Sequence, residues 1–178
     1  MRVLLHTCCA PCLLYPAEVL TKEGIDFTVF WYNPNIHPYT EYQRRLDTLL
    51  HLLTTETIPA IIRNDYPIVS FLQEVCFNEH NRCAICYRIR LNMTAAVARS
   101  AGFSHISTTL LYSKYQKHNV IKELGEEIAG DYGLEFFYED FREGWKRGIE
   151  LSKDKGLYRQ EYCGCIYSEV ERYAGGLE

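Results

Sequence analysis

Seven cysteines stand in three tight groups along this chain: Cys8, Cys9 and Cys12; Cys83 and Cys86; Cys163 and Cys165. Thiolate sulfur is a soft ligand, and cysteines grouped this way point to metal binding or dithiol redox work. Two of the groups contain Cys-x-x-Cys at an expected helix start. That spacing lets both sulfurs reach one metal centre while helix N–H groups offset their negative charge. Cys76 stands alone on an expected apolar helix, where burial as a small hydrophobe accounts for it.

Three chemistries use such thiols. A thioredoxin-like dithiol at Cys9 and Cys12, after a strand and before a helix, needs only two sulfurs and leaves the other groups unexplained. A zinc-stabilised RNA-binding module needs four, and a chain with this much apolar sequence does not need zinc to fold. An iron–sulfur cluster takes four ligands and leaves three sulfurs beside it for a second metal, a proton or a substrate. Cys8 and Cys9, as neighbours, are expected to face different positions. The iron–sulfur reading accounts for the most residues.

The elements that must position these groups follow from the pattern. Val3-Leu4-Leu5 reads as a first strand, with a helix from Leu13 to Lys22 that Gly24 stops. Arg2 and that apolar run faintly resemble a secretory leader, but His6, Thr7 and the cysteines interrupt it. Asp26–Tyr32 reads as a second strand, and 33–38 as a loop on the same rim as the first thiols. Tyr39–Leu53 carries one apolar helical face. Ile58–Ile62 is a third strand, set at an edge or strand start by Pro59. Helices are expected over Ile68–Phe77 and Tyr87–Ser100, a fourth strand over Phe103–Thr109, a helix from Val120 to near Gly133, and a fifth strand over Leu134–Tyr138.

This alternation predicts a single α/β domain over residues 1–178, with a parallel five-stranded sheet, helices on both faces and a helical C-terminal segment, 142–178, carrying the last cysteine pair. No apolar run approaches the roughly 18 residues of a membrane span, and reduced clustered thiols suit the cytoplasm. Charge is nearly balanced, at 19 basic and 23 acidic residues, so contact with nucleic acid must come from a local patch. The stretch 142–159 supplies one, with six basic residues against three acidic ones.

The motifs His6-Thr7-Cys8-Cys9-Ala10-Pro11-Cys12, Arg82-Cys83-Ala84-Ile85-Cys86-Tyr87 with Arg90-Leu91, Asp140-Phe141-Arg142, and Leu157-Tyr158-Arg159-Gln160 before Tyr162-Cys163-Gly164-Cys165 resemble those of the cobalamin-independent epoxyqueuosine reductases (QueH). The resemblance spans residues 2 to about 168. It implies a tRNA-modifying enzyme that removes the epoxide oxygen of epoxyqueuosine in the anticodon loop, using a [4Fe-4S] cluster, an adjacent mononuclear metal ion (iron) and an external electron donor. It also implies a fold similar to the adenine-nucleotide hydrolase (HUP) group, with cysteines where that group normally carries a phosphate-binding Ser-Gly-Gly.

On this reading Cys9, Cys83, Cys86 and Cys163 hold the cluster, while Cys8, Cys12 and Cys165 face the second metal. Asp140 is a candidate metal ligand or proton donor, with a loop acid or helix cap as the plainer role. Tyr87 and Tyr158 are candidate proton donors, and Tyr32, Asn33 and His37 candidate base contacts. Lys146, Arg147, Lys153, Lys155 and Arg159 are the expected phosphate contacts.

Overall fold

Val3, Leu4 and Leu5 have no exposed surface, because their strand, β1 (Arg2–His6), lies in the middle of a five-stranded sheet. The structure is a computed structural model describing residues 1–176; Leu177 and Glu178, the end of the expected 142–178 segment, lie outside the described residues. β1 is flanked by β2 (Asp26–Trp31) and β4 (His105–Thr108), with β3 (Ala60–Ile62) and β5 (Glu135–Phe136) at the edges. Every pairing is parallel. The expected sheet is therefore present, and Pro59 leads into an edge strand.

The order β3-β2-β1-β4-β5 means that the chain winds outward from β1, then returns to build the other half. The connections leaving β1 and β4 diverge, opening a crevice at the carboxyl ends of those strands, where ligands of such sheets bind.

Each central strand sends alternate side chains to two cores. Leu5, Val29 and Trp31 pack with α1 (Ala10–Lys22) and α2 (Tyr39–Thr55) through Leu13, Leu20, Leu46 and Leu49. Leu4, Phe30 and Ile106 pack with α4 (Arg82–Ser100) and α5 (His118–Asp131) through Leu91, Ala95, Ile121 and Ile128. Each such buried aliphatic side chain contributes about 1.5–3 kcal/mol relative to exposure. α6 (Trp145–Asp154) packs on α1, and α3 (Ile68–Val75) and α7 (Ile166–Tyr173) complete the helices.

Three boundaries differ from the sequence expectation in ways that matter. α1 starts at Ala10 with Pro11 in its first turn, a position where the missing proline N–H costs nothing, so Cys9 becomes its cap. α4 starts at Arg82, which places Cys83 and Cys86 inside the helix. α3 stops at Val75, and Cys76 turns to an extended conformation. Cys76 is consequently exposed, against the expectation of burial: the apolar helical face ends one residue too early to cover it.

Candidate metal centre

The first three thiols sit where β1 gives way to α1. Cys9 caps the helix in an extended conformation, and the Cys8 N–H donates to Thr109 Oγ1 across 3.3 Å, tying the loops after β1 and β4 together. Beneath them His6 is fully buried. Its Nδ1 is 2.9 Å from Thr108 Oγ1 and its Nε2 3.3 Å from the Tyr32 carbonyl. Burial lowers its pKa to about 3, so the ring is a neutral brace joining three strands at the rim.

The sulfurs of Cys8, Cys9 and Cys12 all lie within 4.8 Å of one another, and among the described residues this is the only group of three ligands so close. Cys8 and Cys9 Sγ are 3.8 Å apart. The chain turns from strand to helix between them, which sets the two sulfurs side by side. Hydrogen bonding from Cys12, then Cys9, holds the Cys8 thiol well below its ordinary pKa. Cys12 is pushed well above by its bonds to Cys8 and Cys9, and burial raises Cys9.

The other two groups face each other beside this triad. Cys83 and Cys86 lie in the first turns of α4, and Cys165 caps α7. Burial pushes the Cys86 thiol up to about 12, opposed by the charge of Arg90; Cys86 also lies in the field of Cys163, Cys165 and Cys83. Burial likewise raises Cys163, which senses both Cys165 and Cys8. Three helix N-termini therefore carry the thiols, and their partial positive charge favours thiolate.

Two buried guanidiniums and two amides complete the surroundings. Arg45, 1 % exposed, donates from Nε to Glu41 at 2.6 Å and from Nη1 and Nη2 to the carbonyls of Cys163 and Tyr162 at 2.9 and 3.2 Å. Arg90, also 1 % exposed, donates from Nε to the Cys86 carbonyl, and its Nη2 has no partner. Gln160 Nε2 is 2.9 Å from Cys9 Sγ, and Gln116 Nε2 is 3.1 Å from Cys163 Sγ. A soft, anionic, thiolate-ligated group fits this environment: the donors are sulfur, the buried Arg45 and Arg90 outnumber the one buried carboxylate, Glu41, and among the described residues the N–H donors Arg90 Nη2 and Arg82 Nε lack acceptors.

The model of the family described as "Epoxyqueuosine reductase QueH" matches residues 3–171, a span that includes all seven clustered thiols. This chain belongs to the QueH family. It is 38% identical over 172 residues to the epoxyqueuosine reductase QueH of Dehalococcoides mccartyi, covering 97% of this chain and 94% of that one. The Thermotoga maritima QueH is 37% identical over 180 residues, covering 96% and 91%. The Acinetobacter baylyi QueH is 34% identical over 175 residues, covering 94% and 80%.

Some residues singled out for this QueH chain are used differently in the fold. Asp140 caps a short 3-10 turn by accepting from the Arg142 N–H at 3.1 Å, and it pairs twice with the Arg142 guanidinium at 2.7 and 2.6 Å. Those bonds hold its pKa below the usual carboxylate value, which makes it a cap and a poor proton donor. Tyr87 is 2 % exposed; its hydroxyl donates to Gln116 Oε1 at 2.7 Å and accepts the Lys117 N–H at 3.1 Å. It braces the amide that contacts Cys163, and burial raises its pKa. Tyr158 donates to Glu41 at 2.7 Å.

Around the rim, Asn33 donates to the Thr7 carbonyl at 2.9 Å, and His37 Nδ1 accepts the Ile166 N–H at 3.3 Å. The His37 carbonyl accepts the Tyr162 hydroxyl, and its N–H donates to the Gly164 carbonyl at 2.7 Å. This loop therefore seats the last thiol pair. Of the basic residues, Arg147 pairs with Glu18 at 3.2 Å and Lys155 with Glu56 at 2.6 Å. Glu56 caps the C-terminal end of α2, so Lys155 points away from the thiol rim. Lys146, Lys153 and Arg159 are exposed, and the Arg159 charge reaches Tyr112, which also senses Cys12 and Cys9.

Nothing in the residue pattern assigns a role to Arg45, Arg90, Gln116 or Gln160. Arg90 and Gln160 stand within the motifs that carry the family resemblance, and Arg90 lies seven positions after Cys83 and four after Cys86, on the same face of α4, but neither signal names a role. Gln116 and Gln160 lie in irregular segments with no periodicity to reveal them.

Proposed function

We propose that this chain reduces the epoxide of epoxyqueuosine in tRNA to give queuosine, the activity that names its relatives. Two C–O bonds break and a C=C bond forms; two electrons and two protons take the oxygen away as water. The observation that carries this reading is the close triad of Cys8, Cys9 and Cys12, with Cys163 near enough to sense Cys8 and two buried guanidiniums beside the thiols, in a chain matched to the family over nearly its whole length.

A [4Fe-4S] cluster held by Cys9, Cys83, Cys86 and Cys163, with a mononuclear iron facing Cys8, Cys12 and Cys165, supplies one-electron transfer and Lewis acidity when bound. Gln160 and Gln116 orient the Cys9 and Cys163 sulfurs. Arg45 holds the Cys163 and Tyr162 carbonyls, so the last thiol pair stays against the pocket. Proton delivery falls to an exposed rim group or to water, since Tyr87 is enclosed and Asp140 is held ionised.

For the tRNA, Arg159, whose charge reaches Tyr112 beside the first thiols, is the phosphate contact nearest the site, with the exposed Lys146 and Lys153 on α6 next; Arg147 and Lys155 would have to leave Glu18 and Glu56 to join them. The electron donor is a separate protein or small molecule of the cytoplasm. No helix among the described residues is long and apolar enough to cross a membrane.

Anaerobic purification tests the reading. The expected protein is brown, absorbs broadly near 400 nm as thiolate-bound iron does, roughly, and converts epoxyqueuosine-containing tRNA to queuosine with a chemical reductant. A colourless protein carrying stoichiometric zinc, or a metal-free one that reduces disulfides through Cys9 and Cys12, would overturn it.

A further inference from the structure

Among the described residues, Arg90 is the one buried cation of the site without a carboxylate partner. Arg45 is neutralised by Glu41, its neighbour one turn earlier. Arg90 has no such partner among the described residues: there its guanidinium donates once, to the Cys86 carbonyl at 3.3 Å, and lies 5.7 Å from the centre of the Tyr87 ring. Its Nη2 is buried without an acceptor. The leading charges that act on it come from Cys86, Cys163, Cys8 and Tyr87, and so include one thiol of each cysteine group. A neutral-thiol pocket would leave this guanidinium both unpaired and short of an acceptor, a costly state for a buried ion. Thiolates, or sulfide held by metal, supply both the charge and the acceptor.

We infer that Arg90 is the fixed positive charge of the metal centre, a positioning residue that sets the charge and reduction potential of whatever the three thiol groups hold. The inference rests on the functional reading above. Adding one electron makes a thiolate-ligated group more negative by one charge, and a buried cation beside it stabilises that reduced form. Net charge and hydrogen bonds to sulfur are the levers by which proteins tune such potentials.

The test is a redox titration of the iron-loaded protein, followed optically and by electron paramagnetic resonance, on wild type, Arg90→Lys, Arg90→Met and Arg90→Gln. Methionine and glutamine remove the charge with different shapes, so whichever folds is informative. The neutral variants should have a lower midpoint potential, shifted tenfold or more in the oxidised-to-reduced ratio, which is 59 mV for one electron. Lysine should stay close to wild type. Iron loss from the neutral variants, with retention by lysine, supports the role equally, as does folding of lysine alone. An unmoved potential in an iron-replete neutral variant overturns it, and so do equal losses in lysine and methionine variants. A wild-type protein that takes up no iron removes the functional reading itself, a result distinct from either.

Discussion

The Arg45 guanidinium donates from Nη1 to the Cys163 carbonyl across 2.9 Å, joining two residues 118 positions apart and fastening the last thiol pair to α2. Gly164 makes the approach possible. Its φ is +142, and a side chain there would crowd Arg45 Nη1 at 3.2 Å and Ile36 at 3.3 Å. One strut therefore fixes the third cysteine group against the other two.

Arg45→Met should loosen that group. It leaves the Glu41 carboxylate, 9 % exposed, without its cation, which costs about 3–5 kcal/mol for a buried pair broken on one side. Urea denaturation should show that loss, and iron analysis a lower content than wild type. A double variant, Arg45→Met with Glu41→Leu, should recover most of the stability and little of the iron.

Gln160→Leu separates tuning from folding. The side chain is half-buried, so stability should fall by only about 1 kcal/mol, the worth of an ordinary hydrogen bond. Loss of an N–H donor at 2.9 Å from Cys9 Sγ should lower the midpoint potential of the iron-loaded protein. An unchanged potential would mean that this contact does not tune the centre.

Cysteine replacements should divide sharply. Cys83→Ser or Cys86→Ser should bleach the absorbance near 400 nm and abolish turnover. Cys76→Ser, at an exposed position, should leave iron content and activity near wild type. Iron loss from Cys76→Ser would place that thiol in the centre and overturn the division of ligands among the other seven cysteines.

Asp140 gives a pH signature. Its bonds to Arg142 depress the folded-state pKa, so its contribution to stability is present above the ordinary carboxyl pKa of about 3.9 and is lost as pH falls through the lower folded value. Asp140→Asn should therefore be less stable than wild type at pH 7, and the gap should close below about pH 4. Thermal melts across that range measure it; a gap independent of pH would assign the effect to the cap alone.

Gly144→Ala should disturb the α1–α6 contact, because a Cβ at that position would overlap the Tyr15 ring. The expected cost is about 1–3 kcal/mol, typical of overpacking, seen as a lower melting temperature with an unaltered iron-to-protein ratio in the folded fraction.

The alternation of apolar strands and amphipathic helices was enough to give the parallel sheet, because a buried strand and a one-sided helix each carry a local period. Pro59 marked the edge strand, and Gly133 the end of α5, for the same reason: their backbone limits act where they stand. The cysteine groups were visible by type and spacing alone. Cys76 was misread since burial of a helix-end residue depends on where the last turn stops, and how close Cys8 and Cys9 bring their sulfurs was set by the turn between β1 and α1.

What the amino-acid order determined by itself was the sheet, its helices and a thiol-rich chemistry, all set by interactions between near neighbours in the chain. Only the tertiary structure decided that Arg45 and Arg90 face those thiols, that Gln116 and Gln160 touch their sulfurs, and that Asp140 is occupied by Arg142. Apart from that last local pair, these contacts set side-chain charge and hydrogen bonding through burial, and most of them join residues from separate segments of the chain.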